Sequence, residues 1–428
     1  MPRRNLLILV LAAAAAVVCY QRLETNRYGR IAVEAMDQIT DRFVEKVPPE
    51  QLYRGAVEGM VDRLDDPHSR FIPPRQLKQF NESLNREFGG VGMEVSQDPQ
   101  TRRLKVVAPL YDTPAYRAGI RAGDVILRID GRSTQGLSLR DAVRLMRGPP
   151  GTSVTIELRH PGEDQSVRLA LDRERIDVDT VLGDTRTADG TWRFFLPEHP
   201  RIGYVRVSAF AQKTAGDLRR LLQRLLHRRM AGLILDLRDN PGGLLDAAVD
   251  TCDLLLDRGA VVTVRRRNRS RTFRAGAAGT LPDFPLAVLV NGRSASASEI
   301  VAACLKDHER AVIVGSRTYG KGTVQQVIDL EAEQGALKLT TAQYIRPSGR
   351  NIDRKIGLSD QDDWGVRPSP GMNVEVDEKE YTDWRVWRLR RNIPGDGQQK
   401  PEVDEDLADF VDRQRHRAVE WLQEQIEQ

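Results

Sequence analysis

The spacing of apolar residues divides the chain into regions of different character. From about residue 27 to 86, apolar residues recur at intervals of three and four, which predicts a small helical region. From about 88 to 173, short apolar runs alternate with glycine-rich turns, which predicts a compact β-rich module whose main helix is Leu137 to Met146. The runs that predict strands in this module are Gly89 to Val95, Leu104 to Ala108, Asp124 to Ile129 and Val154 to Leu158.

From about residue 200 onward, apolar strands alternate with helices. Strands are predicted at Ile202 to Val207, Gly232 to Leu237, Leu286 to Val290 and Ala311 to Val314, and helices at Ala215 to Arg229 and Leu244 to Leu256. Alternation of this kind indicates an α/β core built from βαβ units. Past Thr340 the chain turns polar and rich in proline and glycine, and it closes with a helix predicted around Leu407, Phe410, Val411, Trp421 and Leu422.

The first 24 residues have the layout of an export signal. Arg3 and Arg4 precede an uninterrupted apolar run from Leu6 to Tyr20. This run is short for a full membrane span and ends without a small-x-small cleavage site, which favours an uncleaved signal anchor over a cleaved signal peptide. Valines precede Cys19, which argues against a lipoprotein. We therefore expect a cell-envelope protein on the periplasmic side, anchored to the inner membrane by residues 5–20.

Composition excludes several classes of protein. The 428 residues suggest two to four domains, and 40% hydrophobic residues suffice for real cores. With 65 basic and 61 acidic residues the net charge is only +4, so we expect no nucleic-acid partner. The densest basic run, Arg265 to Arg271, lies between apolar segments and predicts an exposed hairpin.

Three scattered cysteines are too few for a disulfide framework. No Cys/His spacing resembles a metal site, so neither a metal nor another cofactor is expected. Cys304 lies in an apolar helical stretch and is predicted to be a buried structural thiol rather than a nucleophile.

Two turns of small residues are candidates for catalytic chemistry. The strand Leu286 to Val290 runs into Asn291-Gly-Arg-Ser-Ala-Ser-Ala-Ser-Glu299, and an apolar helix follows. Free N–H groups at such a helix start can stabilise a developing oxyanion, although a serine-rich turn can also do no more than cap the helix. The second turn places Lys321 between two glycines and lacks the spacing of a phosphate-binding loop. A lysine acts as a general base only when it is neutral, so burial must lower its pKa.

Together, the two turns resemble the carboxyl-terminal processing, or tail-specific, proteases. That family places a serine in S-A-S-A-S-E and a lysine in [FY]-G-K-G, 25 positions later, as Ser296 and Lys321 stand here. The resemblance implies a serine endopeptidase in which these two residues form a Ser/Lys dyad. It also implies that Gln325 supports the lysine and that Asp307 matches an acidic residue implicated in some members of the family.

The same resemblance implies roles for two further segments. The stretch from Asp236 to Gly243 resembles the family's D-L-R-x-N-P-G-G turn, which implies that the amides of Gly242 and Ala297 form the oxyanion hole. The β-rich module resembles a PDZ domain, which implies that a substrate tail adds to it as a strand. The amides expected to bind the terminal carboxylate are those of Val91, Gly92 and Met93, and the residues expected on the facing helix are Ala142, Leu145 and Met146.

The implied architecture is an α/β core with ClpP/crotonase-like βαβ units, an inserted PDZ domain and an N-terminal helical region. The predicted bounds are 1–24 for the signal anchor or signal peptide, 27–86 for the helical region, 87–173 for the PDZ domain, 174–365 for the protease core and 366–428 for the C-terminal region. The polar stretch from Gly183 to Pro200 looks like an insertion. The expected partners are protein substrates with exposed C-terminal tails; a homo-oligomer and an activating partner stay open.

Two rival functions receive less support from the sequence. A Ser/His/Asp hydrolase needs a histidine near the serine, but His308 lies twelve residues along a helix from Ser296, about 18 Å away. A catalytically silent PDZ scaffold of the cell envelope would usually have lost Ser296 or Lys321, and both are present. The sequence therefore favours the protease.

Overall fold

The computed structural model describes residues 27–74, 76–77, 87–98, 101–187, 190–331, 334–355, 357–359, 361–393 and 410–427. The chain divides into two compact units, one formed by Met1–Arg75 and Gln325–Thr340 and the other by Gln76–Val324 and Thr341–Gln428. Across the described ranges, no helix is both long enough and apolar enough to cross a membrane. The anchor predicted at residues 5–20 lies outside those ranges.

The first unit contains the predicted helical region. Helices α1 (Arg27–Arg42) and α2 (Pro49–Asp62) precede a short strand, β1 (Arg70–Ile72). Proline is well placed at the first turn of α2, where its missing N–H would have no helical partner anyway. Strand β1 pairs antiparallel with Ala336, Leu337 and Lys338.

The β-rich module forms a five-stranded antiparallel path within the second unit. Its sheet order is β3 (Met93–Gln97), β4 (Leu104–Pro109), β5 (Val125–Ile129), β7 (Ser153–Arg159) and β8 (Val167–Asp172), and β6 (Arg132–Ser133) pairs with β5. Outside this sheet, β2 (Glu87–Gly90) pairs with β9 (Glu174–Asp177). Helices α3 (Pro114–Arg117) and α4 (Leu139–Met146) complete the module. Because β3 is an edge strand, one of its sides is open to an added strand.

Two of the three residues predicted on the facing helix belong to the core of the module. Ala142 and Met146 of α4 are buried there, where Ile126 and Ile156 pack, and Leu145 is half-buried. Their role as a wall for a bound peptide stays a prediction.

The α/β core is a second sheet with the order β10 (Val181–Leu182), β14 (His199–Val207), β15 (Gly232–Asp236), β18 (Leu286–Val290) and β19 (Val312–Gly315). The last four strands are parallel, and β13 (Phe195–Leu196) is added beside β14. Helices α5 (Thr214–His227), α6 (Leu245–Asp253) and α7 (Ala297–Asp307) lie between successive parallel strands in the chain. This confirms the predicted βαβ alternation.

Both faces of the parallel sheet are covered, which explains why its central strands are apolar throughout. Leu233, Leu235 and Val288 pack in a cluster with residues of α5, α6 and α7. The alternate residues Ile234 and Ala287 pack instead with the C-terminal helix α9 (Arg413–Glu427). The predicted closing helix is thus present as α9 and contains Trp421 and Leu422, but it begins only after Phe410 and Val411, and Leu407 lies outside the described residues.

Two predictions about surface and core are confirmed. The basic run lies on a hairpin made by β16 (Gly259–Arg266) and β17 (Ser270–Ala275), and Arg265, Arg267, Arg269 and Arg271 are exposed. Cys304 is fully buried in the core cluster, where Cys252 is also buried.

Several elements were not predicted. Strands β20 (Thr323–Asp329) and β21 (Ala336–Ile345) follow the catalytic turns, and Ala342 to Ile345 of β21 pair with β16. The insertion contains a small hairpin, β11 (Thr185–Arg186) and β12 (Trp192–Arg193), and a polar helix, α8 (Glu378–Arg391), precedes α9.

Arg238 ties the end of β15 to the C-terminal region. Its side chain is only 2% exposed, and its two terminal nitrogens each donate to Asp412 at 2.9 Å. It also donates to Asp236 at 2.7 Å and lies 4.6 Å from the ring centre of Trp384. Burial by itself would lower the pKa of Arg238, but the two carboxylates raise it well above its ordinary value. This buried ion pair is satisfied only while the C-terminal segment is in place.

We expect Arg238→Ala to destabilise the second unit by about 3–5 kcal/mol, because it leaves two buried carboxylates without their cation. Arg258→Ala, at a side chain that is 90% exposed, is the matched control and should change stability by less than about 0.5 kcal/mol. Urea unfolding monitored by tryptophan fluorescence measures both variants. Equal stability of the two variants would refute this role of Arg238.

Candidate active site

Ser296 occupies a strained position between a buried strand and a helix. Strand β18 ends at Val290, α7 begins at Ala297, and Ser296 caps the helix with φ 57° and ψ −113°. Non-glycine residues rarely adopt such angles, which cost free energy and persist where the surroundings enforce them. A strained residue at a strand-to-helix turn is the arrangement that presents a nucleophilic serine in other hydrolases.

Hydrogen bonding distinguishes the three serines of this turn. The hydroxyl of Ser294 donates to the carbonyl of Leu237 at 2.8 Å, and that of Ser298 donates to the carbonyl of Asn240 at 2.9 Å. Both serines are fully buried, whereas Ser296 is partly exposed. The geometry therefore favours Ser296 as the reactive serine and gives its neighbours a structural role in joining two turns.

Glu299 connects the serine turn to the lysine turn. One of its carboxylate oxygens, Oε2, accepts the amides of Ser296 and Lys321, both at 2.8 Å. The other, Oε1, accepts the amide of Gly320 at 2.7 Å and the hydroxyl of Thr318 at 2.6 Å. Since the two backbone nitrogens bind the same oxygen atom, the two turns approach within two hydrogen-bond lengths. In the part of the chain that the structure describes, all four hydrogen bonds at this carboxylate are donated to it, which suits its ionised form.

Burial acts against that ionised form. Glu299 is fully buried, and desolvation raises its pKa above the ordinary value, while its hydrogen bonds act in the opposite direction. As pH falls, Glu299 therefore takes up a proton at a higher pH than an exposed glutamate would. A protonated carboxyl could no longer accept all four hydrogen bonds.

Sequence reasoning assigned no role to Glu299, although a signal was present. Glu299 stands three residues after Ser296 at a helix start, which is the capping-box position. In an ordinary capping box the glutamate accepts only the N-cap amide. Here Oε1 also accepts the amide of Gly320, and Oε2 accepts the amide of Lys321 beside that of Ser296. These contacts with the loop of Lys321 are distant in the chain, so the local motif does not reveal them.

The glycines around Lys321 allow another segment to approach the loop closely. Gly320 accepts a hydrogen bond from the Arg354 amide at 2.8 Å, and the Gly322 amide donates to Asp353 at 3.1 Å. A Cβ atom at Gly322 would lie 2.3 Å from the Asp353 nitrogen, closer than any real contact. The backbone of half-buried Lys321 is thus fixed on both sides.

Tyr344 is a further side chain at the site without a role predicted from sequence. Its amide donates to Gly322 at 2.7 Å, and its hydroxyl interacts with the side chain of Ser296. Burial raises the pKa of Tyr344 to about 12, against the effect of that hydrogen bond. Tyr344 thus contacts both the loop of Lys321 and the side chain of Ser296.

The predicted oxyanion donors differ in availability. Gly242 lies against the serine turn, since a Cβ atom there would be 2.9 Å from the Ala297 nitrogen, and its φ of 99° also suits glycine. Its amide, however, donates to the side chain of Asn240 at 2.9 Å. Among the described residues, no group accepts from the Ala297 amide. Ala297 is thus available as an oxyanion donor, whereas Gly242 would first have to release Asn240.

Asp307 is not brought to the serine. It lies at the far end of α7 from Ser296, and a helix of this length spans about 16 Å. Its carboxylate binds Arg346 through two hydrogen bonds of 2.9 and 2.5 Å and accepts the amide of Ser348 at 3.0 Å. Burial would raise its pKa, but Arg346 holds that pKa below the ordinary value. This placement gives Asp307 a structural role in anchoring the loop after β21.

Two other candidate residues have partners of their own. The side-chain amide of Gln325 donates to the Thr340 hydroxyl at 3.2 Å, within the first unit, so its support of Lys321 stays a prediction. The ring of His308 contacts the carbonyl of Ala260 at 2.8 Å, at the same far end of α7 as Asp307. This position agrees with the argument against a Ser/His/Asp triad.

The loop before β3 presents donors as expected of a carboxylate-binding loop. The carbonyl of Val91 accepts the Ala115 amide at 2.8 Å, and that of Gly92 accepts the Thr113 hydroxyl at 2.8 Å. Within the described part of the chain, nothing accepts from the amides of Val91 and Gly92. Met93 begins the edge strand β3, beside which a peptide can add.

Comparison with known families and proteins covers the parts of the chain in which these residues lie. Residues 201–367 match peptidase family S41, residues 106–160 match the PDZ domain, and residues 21–74 match the N-terminal domain of the activating protease CtpB. A carboxy-terminal-processing protease of Bartonella bacilliformis is 37% identical over 420 residues, which cover 94% of this chain and 90% of that protein. A carboxyl-terminal-processing protease of Synechocystis is 38% identical over 308 residues, 71% of this chain and 69% of that protein.

Among solved structures, the photosystem II D1 C-terminal processing protease is similar with a TM-score of 0.49 and 29% identity, over 88% of this chain and 100% of that one. The long match to the Bartonella protein confirms the resemblance seen in the two small-residue turns. The chain therefore belongs to peptidase family S41, as a carboxyl-terminal processing serine protease that contains a PDZ domain.

Proposed function

We propose that this protease cleaves peptide bonds with a dyad of Ser296 and Lys321 and selects its substrates by their exposed C-terminal tails. The observation that carries the dyad is the carboxylate of Glu299, which holds the backbones of both residues on one oxygen atom. The partial exposure of Ser296, in contrast to its two buried neighbours, supports its role as nucleophile.

In the proposed mechanism, neutral Lys321 takes the hydroxyl proton of Ser296 as the serine oxygen attacks the scissile carbonyl. The Ala297 amide donates to the resulting oxyanion, at the start of a helix whose dipole favours negative charge. As the peptide C–N bond breaks, the Lys321 ammonium returns the proton to the leaving amine. Water then attacks the acyl-enzyme with Lys321 again as base, which releases the acid product and free Ser296.

The lysine must be neutral for the first step. At an unperturbed pKa of about 10.4, roughly one lysine in 2,500 is neutral at pH 7. Lowering that pKa to between 7 and 8 needs about 4 kcal/mol of differential desolvation, which a site closed by bound substrate can supply. The half-buried position of Lys321 between two packed glycines supports this requirement.

Glu299 is a positioning residue in this mechanism. It does not reach the reacting atoms, because its four hydrogen bonds go to Ser296, Thr318, Gly320 and Lys321. Its effect is to fix the distance between the two turns from which the nucleophile and the base project. An error of about 1 Å in such a placement can cost a hundredfold in rate.

The proposal extends to location, partners and fold. Substrate tails would bind through the amides of Val91, Gly92 and Met93 and lie along β3. The apolar run from Leu6 to Tyr20 supports anchoring to the inner membrane with the protease on the periplasmic side. The four parallel strands with intervening helices support a ClpP/crotonase-like core.

We expect Ser296→Ala and Lys321→Ala to lower kcat/KM by at least about a thousandfold, because each removes a member of one catalytic unit. The measurement is cleavage of an unstructured protein with and without a free apolar C-terminal tail, with thermal unfolding of each variant as the control for folding. A fall of less than about tenfold in either variant contradicts the dyad. If wild type and variants are equally inert yet bind the tail, either the silent-scaffold alternative is correct or an activating partner is missing.

We expect Glu299→Gln to lower kcat about 10- to 100-fold with little change in KM, because the amide group replaces one acceptor oxygen with a donor facing backbone N–H groups. Glu309→Gln, at an exposed residue just beyond α7, is the matched control and should leave kcat unchanged. Labelling of Ser296 with a fluorophosphonate should slow in parallel with kcat. An unchanged labelling rate in Glu299→Gln would show that this carboxylate does not position the nucleophile.

A further inference from the structure

A cleft lined by arginines has neither Ser296, Lys321 nor any residue of β3 among its lining residues. It is formed by the insertion hairpin β11–β12 and the C-terminal end of α8, with a volume of about 310 Å³. Its lining residues are Thr185, Arg186, Arg193, Arg390, Arg391 and Ile393. Four of these six residues are arginines, and none is acidic.

The carboxylate of Asp184, next to this cleft, interacts with several arginines. Asp184 is fully buried and contacts the guanidinium groups of three arginines: Arg391, Arg388 at 3.6 Å and Arg415 at 3.3 Å. Arg391 is also one of the four arginines that line the cleft, Arg415 pairs in addition with Glu198 at 3.0 Å, and Arg186 of the cleft pairs with Asp179 at 3.6 Å. Arg186 and the three arginines at Asp184 thus share three carboxylates, which leaves a net positive charge among them.

Several guanidinium nitrogens here are buried without an acceptor. Among the described residues, the Nε atoms of Arg391, Arg388 and Arg206 have no hydrogen-bond partner, and neither does one terminal nitrogen of Arg388. Burial, with Arg388 adding to it, lowers the pKa of Arg206 to about 10, and burial also lowers the pKa of Arg391. Of these three arginines only Arg391 lines the cleft, and since an unpaired buried donor is costly, an anion bound there would supply an acceptor to this side chain.

We propose that this arginine cleft binds a phosphate-bearing anion. Guanidinium groups match phosphate oxygens through paired hydrogen bonds, and a phosphate brings more acceptors and charge than one carboxylate. The volume suits a small group such as pyrophosphate or a phosphorylated head group. The ring of Trp192, beside the cleft, is covered by Arg186 at 4.2 Å, which leaves that aromatic face closed to a nucleotide base.

The position of the cleft indicates what the anion would do. Arg186 stacks at 4.9 Å on the ring of Tyr111, which follows β4 of the PDZ domain. On the other side of the cleft, Ile393 packs with Ala108 and Ala122 of the same domain. An anion held by the hairpin and α8 would therefore strengthen the packing of the PDZ domain on the core. This effect does not depend on the identity of the catalytic residues.

The test is titration of the full-length chain with inorganic pyrophosphate at constant ionic strength, with sodium chloride as the compensating salt. We expect saturable heat of binding and a rise of a few degrees in the temperature of unfolding. Arg193→Gln and Arg390→Gln should each weaken binding at least tenfold. Arg385→Gln, at an exposed position on the same helix, is the matched control and should bind as wild type does.

Two further arms identify the source of the phosphate and the effect on the PDZ domain. Binding to vesicles that contain phosphatidate, lost in Arg193→Gln, would identify a lipid head group, whereas pyrophosphate binding without vesicle binding would identify a soluble anion. In both cases hydrogen exchange at residues 108–111 should slow when the anion is bound. Absence of saturable binding, equal binding by wild type and Arg193→Gln, or binding of poly-glutamate alone would each overturn the proposal.

Discussion

The active site depends on one buried carboxylate. Burying an ionised carboxylate costs several kcal/mol unless its lone pairs are satisfied, and Glu299 is satisfied only when both catalytic turns are in place. The same four hydrogen bonds that compensate for its burial therefore fix the spacing of Ser296 and Lys321. Backbone contacts thus set the relative position of Ser296 and Lys321, the two residues of the proposed dyad.

Arg238 is a second buried charge that holds separate segments of the chain together. Arg238 joins Asp236, at the end of β15, to Asp412 at the start of the C-terminal helix. The turn that follows Arg238 meets the serine turn through Asn240, whose carbonyl accepts both the Ala295 amide and the Ser298 hydroxyl. The family's sequence motifs thus consist largely of residues that hold three turns together, and only a few of their side chains face a substrate.

Local patterns in the sequence were sufficient to predict the strands that are buried on both faces of the sheet. The strands at Gly232 and Leu286 are continuously apolar and were predicted nearly to the residue, whereas α6 between them ends three residues before its predicted end. Helix α8 was missed because it is polar and buries only Trp384 and Arg388, and β21 was missed because its residues are mostly half-exposed. At the site, Ser296 and Lys321 followed from motifs, whereas the contacts of Glu299, Asp307 and Gly242 depend on partners distant in the chain.

The backbone angle of Ser296 has an evolutionary consequence. A serine held at φ 57° and ψ −113° costs on the order of 1–3 kcal/mol, and a glycine at the same position would be largely relieved of that strain. Selection for stability alone would therefore favour replacement of Ser296, so at this position a gain in folding free energy would come with loss of the proposed nucleophile.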